Sequence, residues 1–324
     1  MNISFYTLGC KLNFSETSFI ANDLKNNGFN EVNFNEIADI YVINTCTVTE
    51  NANKECKYLV RKALRQNQEA RVIIMGCYAQ LKPKEIQKIK GVDLILGNNE
   101  KFKLQQYLSD YSKNEKAKII QTNTTELTDF RSAFSFGNRT RSFLKIQDGC
   151  NYKCTFCTIP LARGINRSDE INNIIKRINQ LKKTGIKEIV LTGVNIGDFK
   201  TKNNKKLIDL LKEIDLIDNI RVRISSIEPN LITSEIIDLI SKSNTFVPHF
   251  HIPLQSGSDT ILKAMKRRYL TKKYQALIEE INSKIHNVCI GVDVIVGFPG
   301  ETDVFFNETL SFLKNINISY LHVF

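Results

Sequence analysis

The feature that most constrains this chain is a regular alternation of short apolar runs with longer amphipathic stretches. "ISFYTL", "DIYVINT", "RVIIMG" and "VDLILG" read as strands. Between and after them, "SETSFIANDLKNNG", about 48–67, about 83–90 and about 99–109 read as helices. The first of these ends at a glycine, a common helix stop. Strands that alternate with helices pair in parallel, so the first ~110 residues predict a doubly wound parallel sheet. Residues 111–140 break the rhythm. "SKNEKAK" and "QTNTTELTDFRSAFSFGNRT" are polar and aperiodic, apart from a short "KII" run, and predict a linker. From 141 the alternation resumes with "SFLKIQ", "EIVLTG", "RVRISS", "TFVPHFHI", "GVDVIVG" and "SYLHVF" as strands. Helical patterns near 169–184, 205–216, 231–241, 258–284 and 302–315 lie between them. Six parallel strands are too few for a closed eight-stranded barrel. The expected fold class is therefore α/β: a doubly wound domain over 1–112, a linker over 113–140, and a partial (β/α)6 barrel over 141–324.

Eight cysteines in a chain with no recognisable signal peptide are core residues, reactive thiols or metal ligands rather than a disulfide framework. No apolar run approaches the roughly 18 residues that span a bilayer, so no membrane partner is expected and the cytoplasm is the default. Net charge is +11, from 45 basic and 34 acidic residues, which suits a polyanionic partner such as nucleic acid. The densest basic stretches are "KTKNNKK" (200–206) and "KAMKRRYLTKK" (263–273).

The cysteines fall into a pattern on this map. Cys10, Cys46 and Cys77 each follow the C-terminal end of a predicted strand. In open α/β sheets those ends share one ligand-binding edge, so three thiols far apart in sequence can converge. Cys56, within a helix, and Cys289, within a strand, are expected to be packing residues. Cys150, Cys154 and Cys157 form C-x3-C-x2-C just past the first barrel strand. Thiolate-rich sites select zinc or iron–sulfur clusters. Structural zinc takes four ligands; no fourth cysteine or histidine lies near, and the four histidines show no ligand spacing. A 4Fe-4S cluster on three thiolates leaves one iron open for a further ligand. Tyr152 and Phe156, in the same loop, are placed to shield such a cluster.

C-x3-C-x2-C after the first strand of a partial barrel resembles the radical S-adenosylmethionine (SAM) superfamily, and the cysteine-bearing domain before it narrows the resemblance to the methylthiotransferases. "TLGCKLN", "NTCTVT", "CTFCTIPLARG", "EIVLTGVN", "RVRISSIEP", "HIPLQSGSD", "MKRRY" and "DVIVGFPGET" resemble the branch acting on N6-threonylcarbamoyladenosine at position 37 of tRNA. The resemblance implies two 4Fe-4S clusters, one on Cys150, Cys154 and Cys157 with SAM on the open iron, and an auxiliary one on Cys10, Cys46 and Cys77. It implies a SAM pocket at the strand ends: Gly193 and Asn195; Ser225, Ser226 and Glu228; Gln255 and Ser256; Gly297, Phe298 and Gly300. It also implies a 5′-deoxyadenosyl radical that takes the hydrogen from adenine C2, a sulfur presented by the auxiliary cluster, and a methyl group from a second SAM. The implied partners are a tRNA anticodon loop and a flavodoxin- or ferredoxin-like electron donor, with oligomeric state open.

Two departures stand out. Where the family continues "RGxxRSR", this chain reads "RGINRSDE", with Asp169 in place of an arginine expected to lie near an anionic substrate. Arg163 and Arg167 are kept. The sequence also stops at "YLHVF", without the small C-terminal RNA-binding barrel domain of the family. The same chemistry on isopentenyladenosine-37 or on a ribosomal protein, and an inactive iron–sulfur or tRNA-binding fragment, are the alternative readings.

Overall fold

In the computed structural model the described residues are 1–46, 50–109, 116–136 and 140–324, with side chains described for all of these except 50–53 and 109. The end of "NTCTVT", the start of the helix expected at 48, and residues 113–115 and 137–139 of the expected linker lie outside the described residues.

The first sheet comprises β1 (Asn2–Thr7), β2 (Asn30–Val32), β3 (Ile40–Thr45), β4 (Arg71–Gly76), β5 (Leu94–Leu96) and β6 (Lys118–Ile120), in the order β2-β1-β3-β4-β5-β6. Every pairing is parallel. Alternate residues of the central strands serve opposite faces. Ile40, Val42, Ile73, Met75, Leu94 and Leu96 pack against α1 (Lys11–Asn26) and α5 (Leu104–Ser109). Tyr41, Ile43, Val72, Ile74 and Ile95 pack against α2 (Glu50–Gln66), α3 (Cys77–Leu81) and α4 (Pro83–Ile86). Burial on both faces explains why these strands read as continuous apolar runs rather than as alternation.

The predicted linker is corrected on two counts. "KII" is β6, the edge strand of the first sheet, and β7 (Ala133–Phe134) pairs antiparallel with β8 (Arg141–Lys145) of the second unit. Neither edge strand is long enough to leave a periodic signature.

The second unit continues with β9 (Gln147–Asp148), α6 (Ile159–Arg163), β10 (Arg167–Ser168), α7 (Ile171–Lys183), β11 (Glu188–Thr192), α8 (Leu207–Asp215), β12 (Arg221–Ile224), α9 (Ser234–Lys242) and β13 (His249–His251). It ends with α10 (Asp259–Ala264), α11 (Thr271–Lys284), β14 (Cys289–Val294), α12 (Asp303–Asn315) and β15 (Tyr320–Val323). Parallel pairing runs β8–β11–β12 and β13–β14–β15, and bridges at Val222–Phe246 and Ser226–His251 join the halves into a six-stranded partial barrel. β13 is shorter than "TFVPHFHI" suggested because Pro248 has no N–H to give the ladder. The helix expected over 258–284 is broken. Lys266 takes φ +56°, and the chain turns inward before α11 begins.

One buried group of charges joins the two units. Glu16 of α1 is wholly buried and accepts from Lys101 at 2.6 Å, Lys145 at 2.7 Å and Arg163 at 2.9 Å. Lys145 and Arg163 also hold Asp148, at 2.7 and 3.0 Å, and Arg167 lies 3.6 Å from the same carboxylate. Glu16 and Lys101 belong to the first unit, the others to the second. Burial alone would raise the Glu16 carboxyl, but Arg163, Lys101 and Lys145 outweigh it and hold it well below its usual range. Asp148 is held low in the same way by Lys145 and Arg163. Burial pulls Lys101 down despite Glu16, so its charge is the least well compensated.

Glu16→Gln should therefore cost about 3–5 kcal/mol, because it takes from Lys101 its carboxylate and leaves Lys145 and Arg163 to share Asp148. A denaturation midpoint equal to wild type would refute the assignment. The pH dependence has a definite sign. Carboxyls held low in the native state contribute stability that is complete above their ordinary values of 4.5 and 3.8 and is lost as pH falls below them. Glu16→Gln should flatten that acid limb, measured by thermal melts from pH 7 down to about pH 2.

Candidate functional site

The order β2-β1-β3-β4-β5-β6 reverses direction between β1 and β3, and ligands bind in the crevice that opens at such a point beyond the strand C-termini. Cys10 follows β1 by three residues and Cys46 follows β3 directly. Cys77 follows β4 directly and opens α3. A Cβ added to Gly9, whose φ is +96°, would sit 2.8 Å from Cys46 Sγ. The backbone bearing Cys10 is thus pressed against Cys46, an approach only glycine permits. Asn13 ties both stems by donating to Leu8 O at 3.0 Å and Thr45 O at 3.1 Å, while its own oxygen accepts from Arg163 at 2.7 Å. Cys46 and Cys77 are buried; Cys10 keeps accessible surface although protein surrounds it in most directions. The accessible surface is what matters for a ligand, and it leaves the Cys10 thiol open to one. Burial pushes the Cys10 thiol up, against the pull of Arg163, and the Cys77 charge pushes it further.

The second trio lies at the equivalent end of the barrel. Gly149, at φ +71°, lets the chain pass against Ile165 O, where a Cβ would stand 1.9 Å away. Cys150 Sγ accepts from Tyr152 N–H at 3.4 Å, and burial pushes its thiol up to about 11. The neighbouring Cys157 and Cys154 charges add to that rise. Burial also raises Cys157, and Cys154 again adds to it. None of the six cysteines is in a disulfide. Tyr152 is buried as expected, whereas Phe156 is exposed.

The helices next to the two trios adjoin. α6 begins two residues after Cys157 and packs on α3, which begins at Cys77. Asn98 spans them, donating to Ala162 O at 2.8 Å and lying 3.7 Å from Cys77 Sγ.

Both trios pass a test of fit for anionic iron–sulfur groups. The buried charges around Glu16 comprise four cations (Lys101, Lys145, Arg163, Arg167) and two carboxylates (Glu16, Asp148), an excess of two positive charges. That excess borders the first trio, since Arg163 and Lys101 both feel the Cys77 charge. At the second trio, Arg267 donates to Cys154 Sγ at 3.2 Å and to Glu228, and its guanidinium lies 5.0 Å from the Tyr269 ring centre. Buried positive charge beside sulfur is what a thiolate-bound cluster requires.

The expected SAM residues are only partly gathered. Asn195 and Ser225, buried just past β11 and β12, have side-chain polar atoms with no partner. A buried amide and hydroxyl left open at adjacent strand ends suit a polar ligand. Gly193 lies against Gln147, whose oxygen accepts from the Val194 and Asn195 N–H groups, both at 2.8 Å. Glu228 faces the cysteine loop through Arg267. Gln255 is buried at φ +71° and bonded through its backbone to β14. Gly297 and Phe298 stand apart, on the loop beyond β14, with Gly297 exposed.

Three expectations change. Asp169 is buried rather than facing a substrate; it accepts from Glu170 N–H and Asn173, both at 2.9 Å, just before α7. Arg163 is locked in the buried charge group. Within 263–273, Arg267 is committed to Cys154 and Glu228, and Arg268 stacks 3.7 Å above Tyr152. The segment clamps the cysteine loop, as Thr155 N–H donating to Met265 O at 3.2 Å also shows. Sequence reasoning missed Gln147, Asn98 and Arg267. The signal for Arg267 was the inward "RRY" at the break of an otherwise amphipathic helix.

The fold and its paired thiol trios define a radical SAM barrel with an appended cysteine-bearing domain. Residues 144–313 match the Radical SAM superfamily, and residues 2–97 match the family described as Uncharacterized protein family UPF0004. A threonylcarbamoyladenosine tRNA methylthiotransferase MtaB of Bacillus subtilis is 42% identical, over 99% of this chain and 72% of its own length. Its namesake in Aquifex aeolicus is 39% identical, over 100% and 80%. The tRNA-2-methylthio-N(6)-dimethylallyladenosine synthase of Fusobacterium nucleatum is 34% identical, over 99% and 75%. Among solved structures, the radical SAM methyltransferase TsrM of Kitasatospora setae, with cobalamin and a 4Fe-4S cluster bound, shares the fold at TM-score 0.68 and 14% identity, over 99% of this chain and 74% of its own. The chain belongs to the MtaB-type family of radical SAM tRNA methylthiotransferases. Among the described residues no helix is long and apolar enough to cross a membrane.

Arg267→Gln should loosen the cysteine loop and leave Glu228 buried without its cation. The expected result is a fall of about 3 kcal/mol or more in stability. It should also bring faster iron loss from the second trio than from the first, followed by electron paramagnetic resonance of the reduced protein. Equal loss from both sites would contradict the clamp.

Proposed function

We propose that this tRNA methylthiotransferase adds its methylthio group to C2 of N6-threonylcarbamoyladenosine at position 37. The support for the reading is the placement of three cysteines at strand C-termini of the first sheet and three just past the first barrel strands, on units joined by the packing of α3 on α6, with unpartnered Asn195 and Ser225 at the barrel strand ends. Cys150, Cys154 and Cys157 would hold one 4Fe-4S cluster, and Cys10, Cys46 and Cys77 the other. When bound, the first supplies reductive cleavage of SAM and the second the sulfur, so the protein's own work is positioning and exclusion of water.

That work is visible in the side chains. Arg267 fixes Cys154 and offsets negative charge at the sulfur. Gln147 shapes the turn after β11, in which the Asn195 side-chain amide is buried and unpaired. Asn195 and Ser225 would bind polar groups of SAM, and Glu228, through its link to Arg267, would orient the cysteine loop. Tyr152, held by Asn230 at 2.8 Å and covered by Arg268, closes one wall against water. A base from the single-stranded anticodon loop reaches such a cleft once unstacked. The chain's reductant would be a flavodoxin- or ferredoxin-like protein.

The test is anaerobic reconstitution with iron and sulfide counts, followed by nucleoside mass spectrometry of tRNA from a deletion strain complemented with the gene. About eight irons should fall to about four when Cys10, Cys46 and Cys77 are all changed to Ala. The methylthio form of threonylcarbamoyladenosine should vanish on deletion and return with the wild-type gene only. Restoration of the dimethylallyladenosine product instead would move the chain to the branch of its Fusobacterium relative. About four irons in both proteins would refute a second cluster.

A further inference from the structure

A wide groove of about 1110 Å³ opens on the first unit, between α2 and the segment leading into β5. Its walls carry Lys57, Arg61 and Arg65 on one side and Lys88 and Lys90 on the other, over a floor that includes Leu64. All five cations are exposed, and among the described residues none makes an ion pair. The one carboxylate in the lining, Glu85, is already engaged by Lys82 at 3.1 Å.

Lys57, Arg61 and Arg65 recur every four residues, so they stack along one stripe of α2. Like charges at that spacing repel and weaken a helix. The fold keeps three in a row, and among the described residues none of the three makes an ion pair. An external polyanion supplies the missing charge. Two facing cationic walls suit a linear chain of phosphates better than a single carboxylate. Tyr58, 57% exposed beside the stripe, adds an aromatic face of the kind that RNA-binding surfaces interleave with cations.

Position decides which part of an RNA would lie there. α2 starts four residues beyond Cys46 and leads away from the thiol edge. Arg65 is fifteen residues into the helix, about 22 Å along its axis. A base held at the thiols cannot also fill this groove. We infer that the groove docks the phosphate backbone of the tRNA at a distance from the nucleotide being modified, so that α2 links a remote RNA contact to the cysteine that precedes it. This rests on tRNA being the substrate.

The experiment uses the reconstituted full chain and full-length tRNA. One variant is Lys57→Gln/Arg61→Gln/Arg65→Gln; a second, on the opposite wall, is Lys88→Gln/Lys90→Gln. Iron content and melting temperature confirm that each is folded. The first should bind tRNA at least tenfold more weakly, with the slope of log affinity against log salt smaller by about two to three. The second should lower the slope by about one to two. KM for tRNA should rise, with kcat retained at saturation. Unchanged affinity and slope in both folded variants overturn the inference. So does a defect that appears with a protein electron donor but not with dithionite, which would make the groove a donor dock. If wild type binds tRNA with this variant-sensitive affinity but yields no methylthiolated nucleoside, the functional reading fails and the groove stands. If modification proceeds and affinity ignores the variants, the groove fails alone.

Discussion

Glu16 is the residue on which the arrangement of this protein turns. A carboxylate with no solvent contact would ordinarily be neutral, and three ammonium and guanidinium groups around it would ordinarily stay in water. Neither solution is available here, because α1 is packed between the two units, with Phe14 edge-on to Phe143 and Phe19 against both Phe102 and Phe134. The charges must answer one another. Lys101 comes from the first unit, Lys145 from the first barrel strand, and Arg163 from the helix that follows the cysteine loop. Lys145 and Arg163 can reach Glu16 only if the two units meet in one relative position. Replacing the set with apolar side chains could give as much stability, but it would not encode that geometry.

The same group leaves two positive charges unanswered by carboxylates, on the side where Cys10 and Cys77 lie. In the absence of a cluster this is an electrostatic liability, since desolvation already pulls Lys101 down. A thiolate-bound iron–sulfur group supplies the absent negative charge. The interdomain contact and the auxiliary site are therefore one electrostatic unit rather than two neighbouring features. The second trio is arranged on the same principle with different parts. There a single guanidinium, Arg267, faces Cys154 and is itself balanced by Glu228. In both places a buried cation acts on a cysteine sulfur, by direct contact at Cys154 and through its charge at Cys77.

How much of this was legible in the sequence follows from what sequence periodicity can carry. β1, β3, β4 and β5 and the six barrel strands announced themselves as short apolar runs bounded by turn residues, even where, as in β15, the strand is largely exposed. β2 and β6 are three-residue edges with too few positions to show a period. The thiols stood out in the sequence in two ways: Cys10, Cys46 and Cys77 each follow a strand end, and strand ends of parallel sheets share an edge, while Cys150, Cys154 and Cys157 carry the C-x3-C-x2-C spacing. The cations around them were not. Glu16 and Arg163 are 147 residues apart, and nothing local marks Glu16 as buried on an otherwise polar helix turn. Asp169 was read through a motif as a lost surface charge, yet its carboxylate turns inward to the backbone before α7. Gln255 and Asn195 lie at strand ends as expected, while Gly297 and Phe298 share only the edge and not the enclosure.

The net charge of +11 needs reapportioning for the same reason. As a bulk figure it points to a polyanion, and the densest run, 263–273, was the natural place to look. But Arg267 and Arg268 are consumed in holding the cysteine loop, and Lys101, Lys145, Arg163 and Arg167 are consumed between the units. These cations neutralise the protein's own carboxylates and sulfurs and contribute little to a field outside it. What remains for an external partner is the exposed lysine and arginine that no acidic side chain answers. Lys57, Arg61 and Arg65 meet that condition, although their stretch of sequence is less densely basic than 263–273 and also contains Glu50 and Glu55. Charge density along the chain and charge available at the surface are different quantities, and helical periodicity with burial converts one into the other.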